Sequence, residues 1–378
     1  MKTHARTHAI HGLRAACLAA ALSAAPTALP APAAPDCRAA NGWDAACLRR
    51  LYAAPAAAWP APEVEAGVAW QELGPVPAVA PTPADNPGTP ARVELGRRLF
   101  FDPRLSAKGE LSCAGCHRPE KAFTDGKPLA VGEDRLMGRR RTPPLLAAPF
   151  APRLFWDGRA GSLEEQVVGP IANPVEMNHP LPQAVARIKG LDEYRAPWRA
   201  AFGTADPDEA TLAQALAAFV RTLRPEATAF DRFLAGDAAA LSDGALTGLH
   251  LFRTKAGCLN CHYGPLLTDH GFHDIGLSFY GRRNQDLGRF EVTRNKADLG
   301  AFRTPSLRNV ARAGPWMHNG IFPDLKGLLR MYNAGMGNLT PKATAEADPY
   351  RPRKSPLIRA RQLDEAEIDA LHAFLEAL

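Results

Sequence analysis

The chain has 378 residues, with 45 Lys and Arg against 39 Asp and Glu, 46% hydrophobic and 22% charged residues, and 35 prolines. That length argues for two domains rather than one small one, and the mix of charged and apolar residues excludes a fully disordered or collagen-like chain. The net charge of +6 falls to +3 beyond residue 33, since Lys2, Arg6 and Arg14 meet no acid before it, so charge gives no reason to expect a nucleic-acid partner.

Residues 1–33 join this basic start to the small apolar run Ala15 to Leu29 and the A-x-A-like site Ala31-Pro32-Ala33, the pattern of a secretory signal peptide. No later stretch approaches the roughly 20 apolar residues of a transmembrane helix, so a periplasmic protein without a transmembrane segment is expected. Cys17 falls inside the leader and is not expected to carry a lipid. In an oxidising compartment each of the six remaining cysteines requires an explanation. Cys37 and Cys47 bracket a short segment and suit a small disulfide loop. Residues 34–92 form a Pro/Ala-rich extension, with runs such as Ala54-Pro55-Ala56-Ala57-Ala58-Trp59-Pro60, whose prolines deny a helix its donors. It is expected to be an extended strap over the surface, packed somewhere through Trp59 and Trp70.

From residue 93 the pattern is helical, without a run of alternating strands. Ser162-Leu163-Glu164-Glu165 reads as a capping box opening a helix that ends near Pro170. Between Asp208 and Leu223 the apolar positions Leu212, Ala215, Leu216, Phe219 and Leu223 recur every three or four residues, and Ile368, Leu371, Leu375 and Leu378 do so between Asp364 and Leu378. These helices suggest the ends of two mostly α domains, residues 93–225 and 226–378.

Cys113-Ala114-Gly115-Cys116-His117 and Cys258-Leu259-Asn260-Cys261-His262 are two C-x-x-C-H motifs, the attachment signature of c-type haem. Two cysteines three apart can add to the two vinyl groups of one porphyrin, and the next residue then sets an imidazole beneath the iron. A four-cysteine zinc site or two redox dithiols would leave the His after each pair unexplained. Two covalently attached haems are therefore expected, with His117 and His262 as iron ligands. No His lies between His117 and His179, and Met137 is the only other plausible ligand in the loop Arg118 to Thr142, so the first iron is expected to keep an open sixth position.

Leu95-Gly96-Arg97-Arg98-Leu99-Phe100-Phe101-Asp102-Pro103-Arg104-Leu105-Ser106, the first haem motif, Phe155-Trp156-Asp157-Gly158-Arg159, Gly169-Pro170, Pro174-Val175-Glu176-Met177, Thr304-Pro305-Ser306-Leu307-Arg308-Asn309 and Met317-His318-Asn319-Gly320 resemble the bacterial dihaem cytochrome c peroxidases and their relative MauG. The resemblance covers about residues 93–378. It implies two c-type cytochrome domains, the first peroxidatic and the second for electron transfer. In such proteins hydrogen peroxide generates high-valent haem iron, which oxidises a protein donor. It also implies that Glu176 is the catalytic carboxylate moving a proton between the peroxide oxygens, that Gln166 assists by hydrogen bonding, and that Trp156 relays electrons between the haems. The plain alternatives are a solvated loop acid for Glu176 and a core residue for Trp156.

Three departures from the peroxidases sharpen this. The displaceable His sixteen residues after the first motif's His is here Glu133, which implies a first haem open as isolated. The Met fourteen residues after the His of the M-H-N-G-like motif is here Tyr332. Leu325, Leu328, Leu329 and Tyr332 share a helical face while Met331 points about 100° away, which favours Tyr332 over Met331 on the second iron, packing in that stripe being the alternative. A phenolate would lower the reduction potential relative to Met. Finally, the family's calcium ion lies between the haems on an Asn and backbone carbonyls. Ungapped counting places Arg141 at the Asn, with the carbonyls of Ala313 and Pro315 still available, so calcium is doubtful and Arg141 is a candidate to replace its charge. A MauG-like oxidiser of a partner protein's aromatic side chain is the leading expectation, although Ala256 stands where MauG has the Trp of its exit route. The alternatives are a peroxide-removing enzyme fed by a small cytochrome or cupredoxin, and a non-catalytic electron carrier or sensor.

Overall fold

The computed structural model describes residues 36–40, 42–337 and 348–378; the expected signal peptide and Cys17 lie outside the described residues. Its helices are α1 (Ala45–Leu51), α2 (Pro90–Phe101), α3 (Cys113–Cys116), α4 (Leu163–Ala172), α5 (Leu181–Lys189), α6 (Asp192–Phe202), α7 (Glu209–Val220), α8 (Ala229–Leu234), α9 (Asp243–Arg253), α10 (Phe290–Thr293), α11 (Leu325–Asn333) and α12 (Glu365–Glu376). Among the described residues the only sheets are two antiparallel pairs, β1 (Arg38–Ala39) with β2 (Gly42–Trp43) and β3 (Phe272–Asp274) with β4 (Ala301–Arg303). The fold is mostly α, as the periodicity implies.

Local chemistry sets the helix ends. Asp208 and Asp364 close capping boxes with Thr211 and Glu367, each satisfying two otherwise orphaned N–H groups. At α4 the Ser162 side chain accepts from Glu165 N, whereas the Glu165 carboxylate turns back to Gly161 N at 2.7 Å, so the expected box is only half made. That helix also runs two residues past Pro170, while α7 stops at Val220, three residues short of Leu223.

Among the described residues two large hydrophobic cores form, and each is built on the same helix crossing. In the first, α2 crosses α7 where Gly96 faces Ala215 and Phe219, and Phe100 meets Phe219 with ring centroids 5.1 Å apart. In the second, α9 crosses α12 where Gly248 faces Ala370 and Phe374, and Phe252 meets Phe374 at 5.3 Å. Both crossings thus set a Gly and a Phe four residues apart against an Ala and a Phe four residues apart, which lie on one helical face in each case. Burying each Phe contributes about 1.5–3 kcal/mol.

The extension departs from the expected surface strap. Cys37 and Cys47 form a disulfide, Asp44 caps α1 by accepting from Cys47 N, and Leu48, Tyr52, Trp59 and Leu73 are buried within the second core. Proline prevents long helix here but not burial: the extended backbone is satisfied by partners elsewhere, as where Arg253 donates to Pro60 O at 2.5 Å and Gly264 N to Gln71 O at 3.1 Å.

Candidate haem sites

The first pair of cysteines occupies the single turn of α3, and the His117 N–H closes that turn on Cys113 O at 2.8 Å. His117 Nδ1 bonds to Phe123 O at 2.8 Å, which fixes the proton on Nδ1 and leaves Nε2 as the lone pair for a metal. Burial holds its pKa below the usual His range, so the ring stays neutral. The second motif repeats this: His262 Nδ1 bonds to Leu267 O at 2.9 Å and burial again lowers the imidazole. Cys113 packs on the first core and Cys258 on the second, so among the described residues the four thiols do not converge on a four-cysteine zinc site.

A cavity of about 380 Å³ opens beside the first motif, lined by Cys113, Cys116 and His117 together with Gln166, Glu176 and Trp156. His117 is the only imidazole among the described residues that line it. Gln166 and Pro170 reach it from one face of α4, and Asn173 from the extended residue that ends that helix. Asn173 Nδ2 donates to Glu176 Oε1 at 2.7 Å. Burial raises the Glu176 pKa above the usual Glu range, an effect opposed by this bond and by the charge of Arg159. Asn173 was not anticipated from the sequence; its place before Pro174, at the end of a helix, was the available signal. Met137 is 68% exposed and does not line the cavity. Glu133 is buried, and its Oε1 accepts from Lys108 N at 2.9 Å while its own N–H donates to Glu176 O at 2.8 Å. Its side chain therefore pins the loop at Lys108 while its main chain holds the Glu176 carbonyl, and it does not line the cavity.

Trp156 lines this cavity and also a smaller one with Thr268 and His270, which follow the second motif. Its Nε1 donates to Arg141 O at 2.9 Å. Arg141 is buried: its N–H donates to His318 O at 2.7 Å and its guanidinium to Ala313 O. Burial pushes its pKa down to about 10, with Asp125 opposing the shift, so it remains a cation at neutral pH. His318, kept neutral by a pKa lowered to about 3 by burial, stacks on Phe302 at 3.5 Å and stands edge-on to Trp156 at 6.4 Å. Arg140 ties the two halves together through Asp157 at 2.5 Å and Asp286 at 2.7 Å.

On α11, Leu325, Leu328 and Leu329 are buried in the second core. Tyr332 packs against that core, as Cys258 of the second motif does, and its phenol is raised by burial first and then by Cys261 and Cys258. The donor sets therefore fit haem c at both motifs: a thiol pair, an oriented neutral imidazole and, at the first, a cavity beside them.

A profile of the di-haem cytochrome c peroxidases matches residues 90–239. The methylamine utilization protein MauG of Methylorubrum extorquens is 41% identical over 305 residues, covering 80% of this chain and 82% of that protein. The cytochrome c551 peroxidase of Nitrosomonas europaea is 36% identical over 68% of this chain and 75% of its own length. A crystal structure of a MauG-like protein associated with microbial copper homeostasis superposes with a TM-score of 0.72 and 32% identity over 82% of this chain and 95% of that one. Taken with the two motifs and the cavity, these likenesses establish that the chain belongs to the dihaem cytochrome c peroxidase and MauG family of haem oxidoreductases.

Proposed function

We propose that the chain is an exported, MauG-like peroxidase that oxidises an aromatic side chain of a partner protein with hydrogen peroxide. The observation that carries this reading is the first-motif cavity, which holds Glu176 and Gln166 with no second imidazole among its described lining residues. A haem c held by Cys113, Cys116 and His117 would supply the iron at which the peroxide oxygen–oxygen bond is broken, and a second would be held by Cys258, Cys261, His262 and Tyr332. Glu176 takes the proton from the inner peroxide oxygen and returns it to the outer one, and its raised pKa suits a group that must be base and then acid. Asn173 holds that carboxylate in register through Oε1, and the Gln166 amide can hydrogen-bond the bound peroxide but cannot shuttle a proton. Trp156 provides the aromatic bridge between the halves. Tyr332 offers a phenolate in place of a thioether, which favours the oxidised state of the second site and suits storage of an oxidising equivalent over relay from a high-potential cytochrome. Export is supported by the leader-like residues 1–33 and by the Cys37–Cys47 disulfide.

One equivalent of peroxide added to the diferric protein, without prior reduction, is expected to change the Soret band and the near-infrared of both haems rapidly and for long. Tyr332→Phe is expected to alter the second haem's contribution. A requirement for prior reduction, or efficient turnover with a small cytochrome only, would move the chain to the peroxide-removing branch.

Arg141 bears on calcium. Its guanidinium already occupies the Ala313 carbonyl, and a fixed cation there repels a second one. Arg141 thus stands in for the ion. Extensive chelation is expected to leave the haem spectra and the peroxide rate unchanged, and metal analysis finding one tightly held calcium per chain would refute the substitution.

A further inference from the structure

Outside the haem cavity, the extension carries a row of oxidisable side chains that none of this chemistry uses. Tyr52, the first residue beyond α1, is buried, and its hydroxyl lies 2.9 Å from Nδ1 of His250 on α9. Trp43 stands edge-on to His250 at 4.6 Å, and Trp59 is edge-on to Tyr52 at 5.1 Å. Trp43 is only half-buried and forms the surface end of the row, with Nε1 on Glu367 Oε1 at 3.4 Å and Arg38 over its ring. The inner end belongs to the second core, against which Cys258 and Tyr332 also pack. The disulfide closes the loop that carries Trp43 and anchors α1, so the row is held rigidly.

The electrostatics of this row select one kind of oxidation. The Arg253 guanidinium lies 5.9 Å from the Tyr52 ring and 5.2 Å from that of Trp59. That charge is paired with the Glu72 carboxylate, whereas a phenol cation radical is far too strong an acid to persist in a buried site, so Tyr52 can lose an electron readily only if its proton leaves too. His250 is positioned to take that proton: burial, with Arg253 and Arg38 beside it, lowers its pKa to about 4, so its ring is neutral and Nδ1 presents a lone pair. The Tyr52 phenol is itself pushed up to about 12, chiefly by burial, and starts fully protonated.

We propose that the extension carries a one-electron relay, Trp59–Tyr52–His250–Trp43, in which Tyr52 is oxidised with transfer of its phenolic proton to His250. The Tyr52 O–H bond breaks, an N–H bond forms at His250 Nδ1, and one electron passes to the oxidised second-haem side, leaving a neutral phenoxyl beside an imidazolium. One electron from Trp43 restores Tyr52 as the proton returns. Trp43 then draws an electron from a protein donor at the surface, and when no donor is present it is left oxidised. This rests on the peroxidase reading above, since peroxide is the ultimate oxidant.

The test uses the haem-loaded protein mixed with excess peroxide and no donor, freeze-quenched for electron paramagnetic resonance. In parallel, a nitroso spin trap is added and its adducts are located by peptide mass spectrometry. The expected result is a tyrosyl radical in the resonance spectrum, a trap adduct on the half-buried Trp43, and oxygen added to Trp43 after longer exposure. In Tyr52→Phe the radical is lost and Trp43 oxidation falls with it; in His250→Gln the radical is greatly diminished. Trapping in the unmutated protein decides the matter even if a variant misfolds. A Soret change with adducts only elsewhere and Trp43 intact would overturn the relay while sparing the peroxidase reading, whereas no Soret change at all would overturn that reading itself.

Discussion

Glu176→Gln is expected to slow the reaction of the as-isolated protein with peroxide by about 10²–10⁴-fold, the usual worth of a positioned general acid–base group. The amide keeps the size and a hydrogen bond to Asn173 but cannot accept the peroxide proton. The pH dependence has a definite sign. Burial raises the Glu176 pKa, and the carboxylate is the form that accepts the first proton, so the wild-type rate falls as pH drops through that raised pKa. The acid limb therefore lies above the ordinary Glu range near 4.3, and it disappears in the Gln variant. Asn173→Ala removes the bond that opposes the upward shift, moving the limb further up while leaving the carboxylate present. Stopped-flow rates across pH check both statements, and a Glu176→Gln rate equal to wild type would remove Glu176 from the chemistry.

The largest effects on stability are expected at the two glycine crossings. A Cβ on Gly96 would lie 2.7 Å from the Ala215 carbonyl carbon and 2.9 Å from Phe219 Cβ, and one on Gly248 would lie 2.7 Å from both the Ala370 carbonyl carbon and Phe374 Cβ. These neighbours are backbone and the roots of side chains, so no rotamer change relieves the overlap and the helices must separate. Gly96→Val or Gly248→Val is expected to cost about 3 kcal/mol or more, at the upper end of overpacking effects. Replacing an exposed residue such as Gly203, whose Cβ would meet nothing within 4 Å, tests strain from its φ of +76° alone. Thermal unfolding and the yield of haem-loaded protein measure the difference. An unchanged midpoint in either crossing variant would show that the crossing is looser than the structure has it.

What the sequence could determine was chemistry fixed by short spacing. The C-x-x-C-H motifs are legible because two thioethers and one imidazole must meet a single porphyrin within five residues. The cap at Ser162 is legible because the N–H it accepts from, that of Glu165, lies three residues away. The stripe that includes Tyr332 follows from helical periodicity alone. Membership of the family is legible from motifs strung over most of the chain.

Only the tertiary structure decided the rest, because it depends on which distant segments share a low-dielectric interior. The guanidinium of Arg141 meets Ala313 across 172 positions, and Tyr52 meets His250 across 198; no local pattern encodes such a pairing. Burial of Leu73 was equally invisible, and for Trp59 packing was expected but not its place in the second core, since proline content reports the absence of helix and says nothing about solvent exposure. The same holds for Glu176, Glu133 and Arg141, whose residue types alone suggest solvated groups. Burial and the partners supplied by the fold set the raised pKa of the first, the loop-pinning role of the second and the fixed positive charge of the third.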